Sequence, residues 1–217
     1  MKSKTLVTSP NTDTDSESVN TRQRILSAAL HLFRKRGYHA AGLNDILELA
    51  RAPKGSLYHH FPDGKEEIAV AVVAQITQGI IGLFAANRAR TTSAMLTQVG
   101  EQMAQGIERT HHEVCALFSA FVAERSTSPL LGSAVAQAYD DMTNELRKRF
   151  ALEGRSAKVA SERAALVVML LEGGAILAQA QQSVAPFRLA VKQASLIAIQ
   201  DATHTRKARA VSASLSS

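Results

Sequence analysis

Apolar residues recur at helical spacing through most of the chain. Ile25, Leu26, Ala29, Leu32 and Phe33 fall three and four apart. That spacing predicts a helix with one buried face, capped by Asn20 or Thr21 and ended by Gly37. A shorter helix over Asn44–Ala50 offers Ile46, Leu47 and Ala50 for packing and carries Asp45 and Glu48 in its early turns. Pro53 excludes helical geometry at Ala52, so the chain turns there. Proline suits a first helical position, and a third helix can run at once from Pro53 or Lys54 to about His60. Asp63 followed by Glu66 reads as a capping box that starts a fourth helix at Gly64, continuing to about Ala86.

The rest of the chain keeps the same period. Beyond Thr92 or Ser93, Met95, Val99, Met103 and Ile107 form one stripe, and Tyr139, Met142, Leu146 and Phe150 form another. Cys115, Phe118 and Phe121 lie between them. Residues 156–182 are apolar almost all round, with Gly173 and Gly174 near the middle, and a last helix begun by Pro186 places Phe187, Ala190, Ala194 and Ile197 on one face. The expected fold is all-α, with about nine helices. A small N-terminal three-helix module spans 20–63 and a larger helical body spans 64–202. The arm at 1–19 and the basic tail at 203–217 are expected to be loose.

One short helix cannot cover a neighbour that is apolar on every side and also bury its own stripe. A second copy of the chain can. Four helices, two from each chain, would enclose the excess, with Leu170, Gly173, Gly174, Leu177, Phe187, Ala190, Ala194 and Ile197 as the candidate interface. Methionines and aromatics on adjacent helices suit an adaptable apolar pocket. Met103, Ile107, Cys115, Phe118, Phe121, Tyr139, Met142, Leu146, Met169 and Glu172 are its candidate lining, although such stripes more often mean ordinary core packing. Glu172 has two readings, as the partner of an arginine across the interface or as a ligand contact facing the pocket.

Charge separates the module from the body. Between Arg22 and His60 seven basic residues face two acidic ones, whereas between Ile68 and Ala202 twelve bases nearly cancel eleven acids. A basic module on a neutral body points to a polyanion partner, with a merely solvated face as the alternative. The two short helices meeting at a tight turn are the outline of a helix-turn-helix, whose second helix enters the DNA major groove. Leu57 and Phe61, four apart, would anchor that helix to Ile46 and Phe33. Lys54, Ser56, Tyr58 and His59 are left around its exposed side, and Gly55 lets the backbone approach closely. Lys65, beside a helix start, is a candidate phosphate anchor.

Other chemistry is thinly represented. The adjacent pairs His59-His60 and His111-His112 point their rings apart, which suits no shared metal ion. No catalytic constellation, cofactor loop or metal motif stands out, so no enzyme activity and no cofactor are expected. The lone Cys115, flanked by Val114, Ala116, Leu117 and Phe118, reads as a packed hydrophobe. The longest apolar run from Ala164 meets Glu172 after eight residues, and the polar N-terminus lacks a signal-peptide core. A cytoplasmic protein without a membrane span is the expectation.

Residues 25–73, from Ile25 through "LNDILELARAPKGSLYHHFPDGKEE" to Val73, resemble the N-terminal domain of TetR-type transcriptional regulators. The carrying positions are Ile25, Ala28, Ala29, Leu32, Phe33, Gly37, Ile46, Ala50, Lys54, Gly55, Leu57, Tyr58, His59, Phe61, Lys65 and Glu66. "FPDGKEE" and "LLEGGAILAQAQQSVAPF" are similar to the LmrA/YxaF branch of that family. The resemblance implies a DNA-binding head and a ligand-binding, dimerising body, with the fourth helix as a lever between them. It adds Arg22, Leu43 and Asn44 to the DNA contacts. Pro53 stands where many members have a capping serine, and Gly42 and Leu43 stand where a threonine or serine often meets phosphate, leaving backbone amides for that task. The implied function is a homodimeric repressor of operator DNA, released by a small, largely apolar molecule. Two other readings are a DNA-binding regulator whose body only dimerises or contacts proteins, and a helical enzyme for an anionic substrate.

Overall fold

The computed structural model of the chain describes residues 12–110 and 117–199. Cys115, the His111-His112 pair and the tail at 203–217 lie outside them. The described residues form helices α1 (Thr12–Ala40), α2 (Leu43–Ala50), α3 (Lys54–His60), α4 (Lys65–Ala86), α5 (Thr92–Arg109), α6 (Leu117–Val122), α7 (Pro129–Leu152), α8 (Ala157–Gln181) and α9 (Ala185–Ile199), with a 3-10 turn at Ala123–Ser126. Two compact units divide at Val72 and Val73, inside α4 rather than at residue 63.

In the first unit, α1 packs on α2 and α3. Its core is Ile25, Leu26, Ala29, Leu32 and Phe33 of α1, Ile46, Leu47 and Ala50 of α2, Leu57 of α3, and Phe61, Ile68 and Val72. The apolar spacing in the sequence marks these positions. The start of α1 differs from the expected cap. The helix begins at Thr12, and Thr21 is a buried interior residue whose hydroxyl accepts from Arg24 Nη2 at 3.1 Å. Gly37 does break the helix, with φ 79° and ψ 169°, a conformation glycine adopts without a Cβ penalty.

The start of α4 is also built differently from the expected capping box. Gly64 (φ 69°) precedes the first helical residue, and the Asp63 amide donates to Glu67 Oε2 at 3.1 Å. The left-handed glycine shifts the helix start by one residue, so Glu67, rather than Glu66, reaches back to that amide.

In the second unit, α8 packs on α7 and α9, and α5 packs on α9. One core joins Phe84, Met95, Val99, Leu146, Phe150, Ala164, Val167 and Ala194, and a second joins Ala104, Ile107, Ala175, Ala178, Phe187 and Val191. Side chains close the helix ends. Thr91, Ser128 and Ser156 cap α5, α7 and α8 through the amides of Ala94, Leu131 and Val159. Arg149 Nη1 donates to the last-turn carbonyl of Phe84 at 2.7 Å, and Arg155 and Arg163 donate to Ala198 and Ile197 at the end of α9. Arg188 pairs with Glu101 at 2.9 Å and Glu108 at 2.8 Å, tying α9 to α5.

Two expectations change here. Both α4 and α8 are long and apolar enough, by length and composition, to cross a bilayer. The run counted from Ala164 stops at Glu172, but a helix tolerates a single charge, and the same composition serves a helix covered by neighbours. The second change concerns glycine. A Cβ on Gly174 would lie 2.5 Å from Ala190 Cβ and 3.2 Å from Phe187 Cα, so this glycine permits α8 and α9 of one chain to touch. Gly174→Ala should therefore lower stability by about 1–3 kcal/mol, read as a shift in the urea midpoint. A midpoint equal to that of the parent would rule out the close approach.

Candidate functional site

The turn between α2 and α3 sets the first candidate site. Arg51 adopts the left-handed region (φ 50°), the Ala52 amide donates to Leu47 C=O at 3.0 Å, and extended Pro53 (φ −68°, ψ 150°) hands the chain to α3. Leu57 then faces the core at 1% exposure while Tyr58, one residue on, is 51% exposed. Lys54, Gly55 and His59 are also exposed and Ser56 is half-buried. A Cβ on Gly55 would meet no atom within 4 Å, so the leading turn of α3 is unobstructed.

Leu43 and Asn44 at the start of α2 join Lys54 and Tyr58 around a cleft of about 420 Å³, together with Gly42 and Asp45. Gly42 precedes α2 in extended geometry and supplies no side-chain cap. The first amides of α2 thus stand beside a lysine, a suitable seat for a phosphate oxygen. His60 lies edge-on to His59, with ring centroids 5.0 Å apart. Burial first, then the positive charge of His59 and Arg22, holds His60 below the usual imidazole range.

The other two cations predicted for this site have partners within their own unit. The Arg22 guanidinium lies 5.2 Å from the centroid of the Phe61 ring. Lys65 Nζ donates to His39 C=O at 3.1 Å and stands 4.6 Å from the Tyr38 ring centroid. It fastens the end of α1 to the start of α4, a role that its place in the sequence does not disclose.

The second candidate site lies in the other unit. Phe118 on α6 and Tyr139 on α7 form a tilted ring pair with centroids 5.6 Å apart. The Glu172 carboxyl on α8 is in hydrogen-bonding reach of the Tyr139 hydroxyl and the Ser119 backbone. Burial outweighs both and pushes the carboxyl above the usual carboxylate range. Tyr139 is raised by its own burial first and then by the negative charge of Glu172. Phe121 and Met142 are buried. Other predicted lining residues go elsewhere. Leu146 and Ile107 belong to the two packed cores, and Met103 packs against both. Met169 is 60% exposed on the outer side of α8.

The predicted interface needs the largest correction. Phe187, Ala190 and Ala194 are buried inside one chain, against α8 and α5, as is Gly174. Leu170 packs partly on the first core, and Ile197 is half-buried, its carbonyl taken by Arg163. The stripe chosen on α9 is the one that faces its own protomer. Of the predicted residues Leu177 does point outward, together with Leu166, Met169 and Ile176 on α8 and with Leu189, Leu196 and Ile199 on α9. A Cβ on Gly173 would likewise meet open space. On α9 the outward leucines fall seven residues apart, a second stripe that the helical period could have revealed.

Sequence and fold comparisons agree with this geometry. The chain matches the family "Bacterial regulatory proteins, tetR family" over residues 25–72 and "Transcriptional regulator LmrA/YxaF-like, C-terminal domain" over residues 92–193. It is 31% identical over 179 residues to the HTH-type transcriptional regulator LmrA of Bacillus subtilis strain 168, covering 77% of this chain and 90% of LmrA. To YxaF of the same organism it is 56% identical over 54 residues, 25% of this chain and 28% of YxaF. Among solved structures, the regulatory protein TetR from Rhodobacter sphaeroides superposes with a TM-score of 0.72 at 18% identity, covering 82% of this chain and 98% of that one. Reduced E. coli NemR gives 0.68 at 22% identity, covering 81% and 95%. LmrA and YxaF are both named as HTH-type transcriptional regulators. The chain belongs to the TetR family of bacterial transcriptional regulators, in its LmrA/YxaF-like branch, and carries that family's DNA-binding helix-turn-helix.

Proposed function

We propose that this regulator is a homodimeric, ligand-responsive repressor, working in the cytoplasm, that binds operator DNA through α3 and is released by a small, largely apolar molecule. The observation that carries the DNA half of the reading is the row of Lys54, Gly55, Tyr58 and His59, exposed on α3 above the buried Leu57. Gly55 and Ser56 allow close approach to the groove, Tyr58 and His59 present polar tips to backbone or base edges, and Leu43 and Asn44 offer amides to a phosphate. Arg22 and Lys65 add positive charge at the rim.

Dimerisation is supported by the outward apolar face of α8 and α9. Large apolar side chains concentrated on adjoining helices mark a protein contact rather than a solvated surface. An isologous pairing of that face would join two reading heads with two-fold symmetry, as a palindromic site requires. A ligand in the second unit would release DNA only by binding more tightly to a dimer whose α3 spacing does not match the operator.

The electrostatic component can be measured on duplex selected from random DNA by the wild-type protein. With Arg22, Lys54 and Lys65 of each protomer on phosphates, log affinity should fall against log salt with a slope of about −5. A slope near zero contradicts the assigned surface.

A further inference from the structure

A carboxylate in the middle of the apolar helix α8 calls for an explanation. Glu172 is turned toward α6 and α7, where the Ser119 backbone and the Tyr139 hydroxyl lie in reach of its carboxyl. Its Oε1 is sealed from solvent and has no hydrogen-bond partner. A buried acceptor left unpaired carries a desolvation penalty, and native folds keep few of them without a use. Beside it, the rings of Phe118 and Tyr139 meet at 57° with centroids 5.6 Å apart.

The character of the missing group follows from what surrounds the oxygen. Among the described residues, the groups that act on the carboxyl are two hydrogen-bond donors and no cation. An unpaired acceptor whose carboxyl reaches the Tyr139 hydroxyl, with the Phe118 ring packed on Tyr139, favours a positively charged donor, because the carboxylate attracts it and the neighbouring rings tolerate a cation. Burial disfavours the ionised carboxyl when it is alone, and a cation arriving at Oε1 offsets that penalty by favouring the charged form. An arginine from a second copy would satisfy the same oxygen. Glu172 points to α6 and α7, however, whereas Leu166, Gly173 and Leu177 mark the outward side of α8.

We infer that Phe118, Tyr139 and Glu172 form a recognition site for an aromatic ligand bearing a protonated nitrogen, whose N–H reaches Glu172 Oε1 while its ring system packs on Phe118 and Tyr139. This rests on the ligand-responsive reading above and narrows it, from an apolar molecule to an apolar cation.

The test uses the full-length protein and two fluorescent probes of nearly equal shape, 9-aminoacridine as the cation and 9-methylacridine as the neutral analogue. Wild type should bind the cation roughly ten- to a hundred-fold more tightly, the span of one charge-assisted hydrogen bond. Glu172→Gln should lose that preference and leave affinity for the neutral probe within about two-fold, with a thermal transition no lower than wild type. Equal affinity of wild type for the two probes, or no binding of either, overturns the inference even if the variant fails to fold. So does a Glu172→Gln protein that weakens the dimer while keeping its preference for the cation, which would assign the oxygen to a second copy. A neutral molecule that binds and releases operator DNA independently of Glu172 would overturn the inference and leave the ligand-responsive reading standing. Failure of every bound molecule to change operator affinity would remove that reading itself.

Discussion

Leu177→Asp is expected to leave the chain folded, monomeric, and weaker for operator DNA by at least about a thousand-fold. Leu177 is 50% exposed in the single chain, so an aspartate there is solvated in the monomer and costs it only the small helix-propensity difference. In a two-fold dimer the same aspartate faces the partner's α8 and α9. An unpaired charge buried at such an interface costs about 3–5 kcal/mol, and symmetry places it there twice. Loss of the dimer converts a two-headed reader into separate half-site binders and removes the advantage of linked binding. Sedimentation equilibrium with circular dichroism checks both parts. A variant that stays dimeric places the interface elsewhere. Phe187→Asp is the useful contrast: Phe187 is 1% exposed inside its own chain, so its replacement should unfold the second unit rather than yield a folded monomer.

The second large effect concerns the reading helix. The double change Lys54→Ala with Tyr58→Ala should weaken operator binding by about a hundred-fold or more, since a well-placed side chain on DNA supplies about 1–3 kcal/mol. The dimer and its melting temperature should be preserved, because both side chains are exposed and neither belongs to the core. Lys54→Ala alone should make the salt slope shallower by roughly one for each protomer. Tyr58→Ala should leave that slope unchanged, since it removes no charge. Unchanged operator affinity in the double variant would move recognition off α3.

Much of this arrangement was legible in the sequence, and the parts that were not share a physical reason. The head was readable because local rules fix it. Pro53 forces the turn, Leu57 and Phe61 point inward, and Tyr58 and His59 between them are left outside. The helix period likewise marked the packed stripes of α5 and α7. Period alone does not say whether a stripe is covered by its own chain or by another copy. On α9 the small and aromatic stripe of Phe187, Ala190 and Ala194 turned out to be internal, while Leu189 and Leu196 face outward. Gly174 showed the same ambiguity, since close packing within a chain and between chains demands the same small residue. The start of α1 and the hold of Lys65 on His39 were hidden for another reason, because each depends on backbone geometry that side-chain pattern does not encode. Glu172 stood out in the sequence as a charge in an apolar helix, and the structure supplied its direction, toward Tyr139.

The central claim is that two copies of α3, held apart by the outward faces of α8 and α9, enter the major groove of one duplex. Its most direct measurement replaces Tyr58 with a photo-crosslinking phenylalanine derivative in the full-length protein and maps the crosslinks on the selected operator. The expected pattern is a symmetric pair of major-groove crosslinks, separated by about 34–36 Å or a multiple of it. Crosslinks confined to a single half-site, or none from a complex that remains intact on the gel, would contradict it.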